Sequence, residues 1–383
     1  MSNRKQSIVT RIAQALHFVE ADTGAVVPSI QPAATYARDE NYEVRKPYWY
    51  RRDGSQTTAH AEAMIAELEN AAESLLFASG MSACTAVIEH LPTGAHVVVP
   101  EVMYHGVLQQ IKNYEANKRI TVSYYTAGNL TELAAAVRDG ETQLVWVETP
   151  NNPNWEVTDI AAAAEIAHGA GAKLIADCTG TPPSMTRALD LGADISFHSA
   201  TKYLNGHSDI TGGVLSVKQT GQFWEDIYMV RKLQGTVLHS QDAWLLIRGM
   251  RTLFLRVERA CKNAMAIATH FDGHPHIEKV LYPGLPSDPG HQVAKRQTDG
   301  QFGGMMSIII KGSEQTAIDV TRFCELFYPA TSLGGVESLV EHRKTVSGDG
   351  FPVHPRLLRL SIGIEEADDL IYDLEQALAR ACA

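Results

Sequence analysis

At 383 residues the chain is too long for one ordinary hydrophobic core, so two domains are expected. Its 45% hydrophobic and 20% charged content exclude a disordered or fibrous protein, and a formal net charge of −11 argues against nucleic acid or an anionic membrane as the main partner. No apolar run approaches the length of a membrane span, the N-terminus lacks a secretory pattern, and five scattered cysteines (Cys84, Cys178, Cys261, Cys324 and Cys382) suit reduced thiols in a cytoplasm.

Along the chain, residues 1–55, with "QPAATY" and "RKPYWYRRDGSQTT", show no clear period and read as an arm. From about residue 59 helix and strand patterns alternate. "AHAEAMIAELENAAE" is a helix, "SLLFASG" a short strand closed by a glycine turn, "AHVVVP" a buried strand and "YHGVLQQIKNYEA" a helix. "RITVSYYT" is a strand and "NLTELAAAVRDG" a helix capped by Asn129 or Thr131; "TQLVWVETP" is a strand and "VTDIAAAAEIAHGAG" a helix. "KLIADCTG", "LGADISFHSA" and "DITGGVLSV" complete the strands. Apolar strands separated by helices predict an α/β, doubly wound, mostly parallel sheet over residues 56–245, with chemistry at the carboxyl ends of its strands. The long helical pattern "QDAWLLIRGMRTLFLRVERACKNAMAIATHF" leads into a smaller C-terminal α+β domain, residues 246–383, with strands at "GGMMSIIIKG" and "RLLRLSIGIEE" and a final amphipathic helix.

Within this frame one lysine stands out. Lys202, in "SFHSATKYLNGHSD", follows a buried strand and small hydroxyl residues, a setting that lowers an amine's pKa and suits a Schiff-base nucleophile. Pyridoxal phosphate chemistry asks for such an amine, an anion near the ring nitrogen, phosphate donors and a face for the ring. Asp177, closing "KLIAD", is a candidate anion, although strand-end aspartates often serve only as caps. Gly80 and Met81 of "ASGMSA" lie where a helix N-terminus favours phosphate, and Ser199 and Thr201 add hydroxyl donors. Tyr104, just past "HVVV", is placed to stack on a ring.

Together these stretches resemble the Cys/Met-metabolism family of pyridoxal-phosphate enzymes, from about Pro28 to the C-terminus. The resemblance implies the type I fold of PLP-dependent transferases, pyridoxal 5'-phosphate on Lys202, Asp177 at the ring nitrogen, Tyr104 on the ring, and Gly80, Met81, Ser199 and Thr201 around the phosphate. "YRR" is similar to the family's Tyr-x-Arg, which implies that Tyr50 and Arg52 reach a neighbouring subunit's phosphate in a tetramer built from dimers with shared sites. It further implies Asn152 near the cofactor's phenolic oxygen and Arg359, with Ser332 beside it, on the substrate α-carboxylate. No metal is expected.

"SLGGVESL", with Leu333 where β-lyases of the family tend to carry tryptophan, resembles the forms that act at Cγ. The expectation is γ-elimination or γ-replacement on a homoserine-type amino acid through a vinylglycine-type intermediate. A β-lyase, an aminotransferase or a catalytically silent scaffold are the alternatives. Asp53 and Glu337 together would make an acidic wall for a cationic γ-substituent, which makes canavanine a specific candidate substrate. Four places depart from the family pattern: Ser55-Gln56-Thr57, His105 for a glycine, Cys178 and Gly180, and "EHRKTVSGDG" for the usual His-Pro.

Overall fold

A computed structural model describes residues 6–45, 47–348 and 352–382. Twelve strands run in chain order among these residues. They are β1 Glu73–Phe77, β2 Ala95–Pro100, β3 Ile120–Tyr125, β4 Thr142–Glu148, β5 Lys173–Asp177, β6 Ile195–Ser199 and β7 Gly213–Val217, then β8 Ile277–Leu281, β9 Met305–Ile310, β10 Tyr328–Pro329, β11 Leu339–His342 and β12 Leu357–Ser361.

The first seven form one sheet in the order β1-β7-β6-β5-β4-β2-β3. Strands β6, β5, β4, β2 and β3 are parallel, and β7 is antiparallel to both of its neighbours. Successive side chains on a strand point to opposite faces, so a strand covered on both sides must be apolar throughout. Val97 and Val99 of β2 accordingly join a cluster with helices Gly80–Glu89, His105–Ala116 and Gln222–Gln234. Val98, between them, joins the opposite cluster with helix Ile160–Gly169. The doubly wound sheet expected from alternation is present, with β7 as its antiparallel strand.

Strands β8–β12 make a second sheet, ordered β10-β11-β12-β9-β8, antiparallel except for β10 beside β11. Helix Ala367–Ala381 buries Leu370, Leu374, Ala377 and Leu378 against it, one stripe at helical spacing. On β12, Leu358 and Leu360 enter this core, so the intervening Arg359 faces away from it. The long helical pattern between the sheets is two helices, Ser240–Met250 and Leu253–Phe271, broken at Arg251 and Thr252. Leu246, Met250, Val257 and Cys261 pack with residues of the first domain, whereas Ala264, Ile267 and Phe271 belong to the core of the second. In the N-terminal arm a short helix, Ile8–Ala13, plants Ile12 in the first domain; irregular chain follows it. Among the described residues no helix is long and apolar enough to cross a membrane.

This topology collects one edge. Strands β2, β4, β5 and β6 end on the same side, and β1, parallel in direction to β6 through the antiparallel β7, ends there too. The turns after β1 and β2, the last residues of β4 and β5, and the loop after β6 therefore converge where α/β sheets hold their ligands.

Candidate active site

A cavity of about 560 Å³ lies at that edge, closed on its far side by the second domain through Ser332, Leu333 and Arg359. Lys202 reaches it three residues after β6, and its Nζ donates to Ser332 Oγ at 2.7 Å. Burial, reinforced by the Arg359 guanidinium and opposed by Glu341, pulls the amine down to about 8. A lysine there is held largely ready to lose its proton, as a Schiff-base nucleophile requires. Ser332 sits at φ 89°, a left-handed conformation that costs a non-glycine residue of order 1–3 kcal/mol. The same residue's carbonyl accepts from Arg359 Nη2 at 2.8 Å, so the strained backbone faces the amine with its hydroxyl and the arginine with its carbonyl.

Asp177 ends β5 and is buried, directly opposite Glu148, which ends β4. Burial raises both carboxyls, and for Glu148 the Asp177 charge raises it further. Two buried carboxylates side by side are unstable without a positive partner, which is the condition that a protonated ring nitrogen would relieve. Asp177 Oδ1 accepts the Thr179 N–H at 2.9 Å, and Thr179 Oγ1 accepts the Ser199 N–H at 2.9 Å, so one threonine orients the acid and the hydroxyl strand together. Glu148 has a different task. Its two oxygens accept the N–H groups of Tyr104, at 2.7 Å, and of Asn152, at 2.8 Å.

Gly80 opens helix Gly80–Glu89 behind a Ser79 capping box that takes the Ser82 N–H, and Gly80 and Met81 of this helix terminus line the cavity with Ser199 and Thr201. A Cβ at Gly80 would stand 3.3 Å from Ser199 Oγ. A side chain there would fill the gap between the helix terminus and the hydroxyls, the gap in which a phosphate fits. Tyr104, at the head of helix His105–Ala116, is 40% exposed and lines the opening, with its ring 4.8 Å from His105. The residues present thus fit a phosphorylated pyridine aldehyde: amine, acid, phosphate cradle and aromatic face share one cavity.

On the second domain's side, Glu341 of β11 lies directly across from Arg359 of β12. Its carboxylate ion-pairs with Arg359 and, at 3.1 Å, with Arg343, all three side chains being buried. Two guanidiniums meet at one carboxylate in a poorly solvated place, and Arg359, which lines the cavity, is placed to take an incoming anion such as an α-carboxylate. Arg359 Nη1 also donates to Asn152 Oδ1 at 3.4 Å. Arg343 Nη2 donates to His105 Nδ1 at 3.2 Å, so two of the departures from the family pattern touch each other.

Of the residues singled out in the sequence, Lys202, Asp177, Gly80, Met81, Ser199, Thr201, Tyr104, Asn152, Ser332 and Arg359 all line this cavity. Four do not. Tyr50 and Arg52 stand on the exposed arm, the guanidinium 4.4 Å over its own chain's tyrosine ring. Asp53 is ion-paired with Lys232, and Glu337 accepts from Ser208 Oγ. Within one chain Asp53 and Glu337 have separate partners and do not line the cavity; the acidic wall was expected between a chain and its neighbour's arm. Of the stretch 341–350, Asp349 and Gly350 lie outside the described residues. Glu148, Thr179, Glu341 and Arg343 were not anticipated as site residues. Glu148 carried a usable signal, a carboxylate ending an apolar strand just as Asp177 does. Among the described residues no cluster of histidine, cysteine, aspartate and glutamate could hold a metal ion.

Comparison with known proteins agrees with this geometry. The model of the family described as Cys/Met metabolism PLP-dependent enzyme matches residues 10–379. A protein of Coxiella burnetii named cystathionine beta-lyase is 38% identical, over 98% of this chain and 99% of its own. A cystathionine gamma-synthase of Mycobacterium bovis is 39% identical, over 96% of each chain. The crystal structure of cystathionine gamma synthase from Xanthomonas oryzae pv. oryzae, in complex with cystathionine, superposes with a TM-score of 0.94 at 33% identity and 99% coverage of both chains.

Proposed function

Since the chain belongs to the Cys/Met metabolism family of PLP-dependent enzymes, with pyridoxal 5'-phosphate as its cofactor, we propose that it catalyses γ-elimination or γ-replacement on a homoserine-type amino acid. The observation that carries this reading is that Leu333, a smaller side chain than tryptophan, lines the cavity beside Ser332, the residue that Lys202 touches.

The cofactor, when bound, withdraws electrons from Cα and makes protons on Cα and Cβ removable. The chain's residues do the rest. Arg359, held by Glu341 and Asn152, grips the α-carboxylate and fixes the substrate's rotation. Asp177 would pair with the pyridine nitrogen and hold a proton there. Lys202, once its amine is free, takes and returns protons between Cα and the neighbouring carbons, a task matched to a pKa of about 8. Tyr104, oriented through its backbone N–H by Glu148, covers the ring.

A second reading is favoured by the Coxiella burnetii relative, whose name is that of a β-lyase. Product analysis by mass spectrometry separates the two. On cystathionine, cleavage at Cγ yields cysteine and 2-oxobutanoate, whereas cleavage at Cβ yields homocysteine and pyruvate. The panel includes O-acetylhomoserine with cysteine, methionine and canavanine. The expected result is products of Cγ cleavage or substitution; pyruvate as the main keto acid from cystathionine would overturn the proposal.

A further inference from the structure

His105 and Arg343 are joined in the wall of the cavity, and the chemistry above gives His105 no part. His105 is the first residue of its helix, beside Tyr104. Arg343, buried and anchored on Glu341, points Nη2 at His105 Nδ1 from 3.2 Å. An arginine N–H can only donate, so Nδ1 must accept. A neutral imidazole that accepts at Nδ1 carries its hydrogen on Nε2. Burial, then the charges of Arg343 and Arg359 against that of Glu341, lowers the imidazole's pKa and favours the neutral form. Among the described residues Nε2 has no protein partner, and His105 lines the cavity. The cavity wall at His105 therefore offers a fixed N–H donor, while Asp53 and Glu337 have other partners within the same chain.

We propose that His105 is a specificity-determining residue whose Nε2–H hydrogen-bonds the atom leaving Cγ and selects oxygen-linked over sulfur-linked γ-substituents, with Arg343 as the positioning residue that fixes its tautomer. The inference rests on the γ-acting reading and adds the class of leaving group. In the step concerned, the Cβ–H electron pair forms the Cβ–Cγ double bond and its proton passes to the Lys202 amine. The Cγ–O bond breaks, its electron pair stays on oxygen, and the leaving group departs as an anion; acetate remains one, whereas the more basic oxygen released from canavanine takes a proton from water. The Nε2–H bond strengthens as charge gathers on that oxygen, so it acts on the transition state more than on bound substrate. Thioether sulfur is a weak acceptor and gains little from the same donor.

The test compares kcat/KM of the wild-type holoenzyme with that of His105→Leu and His105→Gln. The substrates are two γ-oxygen compounds, O-acetylhomoserine and canavanine, and two γ-sulfur compounds, cystathionine and methionine. For His105→Leu the expected loss is about 10- to 100-fold on the oxygen compounds, carried mainly in kcat, and within about twofold on the sulfur compounds. His105→Gln, which keeps an N–H at a similar reach, should recover part of the loss. Equal losses on both pairs, or none on the oxygen pair, would overturn the role of His105 while leaving the γ-acting reading intact. Failure of the wild type to release any γ-substituent would overturn the γ-acting reading, and this inference with it.

Discussion

Lys202 and Asp177 were legible in the sequence because Asp177 ends an apolar strand and Lys202 follows another by three residues, places where a charge is costly. Glu341 and Arg343 were not, because their meaning is a cross-strand register and an ion cluster that only the folded second sheet creates. The shift at Lys202 has a direct consequence. The amine must be neutral to attack the cofactor's aldehyde, and at a pKa of about 8 roughly a tenth of it is neutral at pH 7, hundreds of times more than for an ordinary lysine. Cofactor uptake by the apoenzyme, followed by absorbance, should therefore quicken as pH rises to about 8 and level off above it. A rate still climbing steeply at pH 10 would contradict the shift. Stability moves in the matching direction. A lysine whose pKa is lowered by folding penalises the native state below about 8, and the penalty is relieved as pH rises towards the unfolded value near 10.5, where the unfolded chain holds the extra proton. Lys202→Met apoprotein should be more heat-stable than wild-type apoprotein at pH 7 and lose that advantage at high pH, as differential scanning calorimetry at several pH values would show.

Elements with strong patterns were readable, and their boundaries fell within a few residues of those observed: "AHVVVP" is β2, and the final amphipathic stretch is helix Ala367–Ala381. Helix Gln222–Gln234 and strands β8, β10 and β11 were missed. In β8 the polar pair Glu278 and Lys279 interrupts any apolar run, since it is an edge strand with one side to solvent. Less visible still was how closely β7 approaches the helix that opens at Gly80. A Cβ on Gly213 would stand 2.4 Å from the Ser79 carbonyl oxygen and 2.8 Å from Gly80 Cα, backbone atoms that cannot swing aside. Gly213→Ala must push the first turn of that helix outward, at a cost of about 1–3 kcal/mol from overpacking. It should lower Tm by several degrees and weaken cofactor binding together. Gly80→Ala meets side chains alone, Ser199 Oγ at 3.3 Å and Phe197 Cζ at 3.5 Å, so its Cβ intrudes on the cradle rather than on the frame. Weakened cofactor affinity with a nearly unchanged apoprotein Tm is expected there. If both variants lowered Tm equally and bound cofactor normally, this edge would not be the phosphate site.

At the scale of the whole molecule the cavity is electrostatically unfinished on one side. Lys202, Arg343 and Arg359 are the lysine and arginines among the described residues lining it, and the two arginines share Glu341. The cradle at Gly80, Met81, Ser199 and Thr201 offers N–H and O–H groups but no cation for a group that carries close to two negative charges. Arg52, meanwhile, stands exposed on the arm with Tyr50, outside the cavity of its own chain. We propose that the two deficits answer each other across a two-fold axis, Tyr50 and Arg52 of one chain completing the phosphate site of the next. Such sharing makes a sharp prediction for co-expressed Arg52→Ala and Lys202→Ala chains. In a mixed dimer one site receives both defects, while the other receives Lys202 from the first chain and Arg52 from the second and is intact. Random pairing makes about half of the dimers mixed, so roughly a quarter of wild-type activity should return although neither parent is active alone. If Arg52 served its own chain's site, every site in the mixture would carry one defect, and activity would stay at the parental level in hybrids verified by mass.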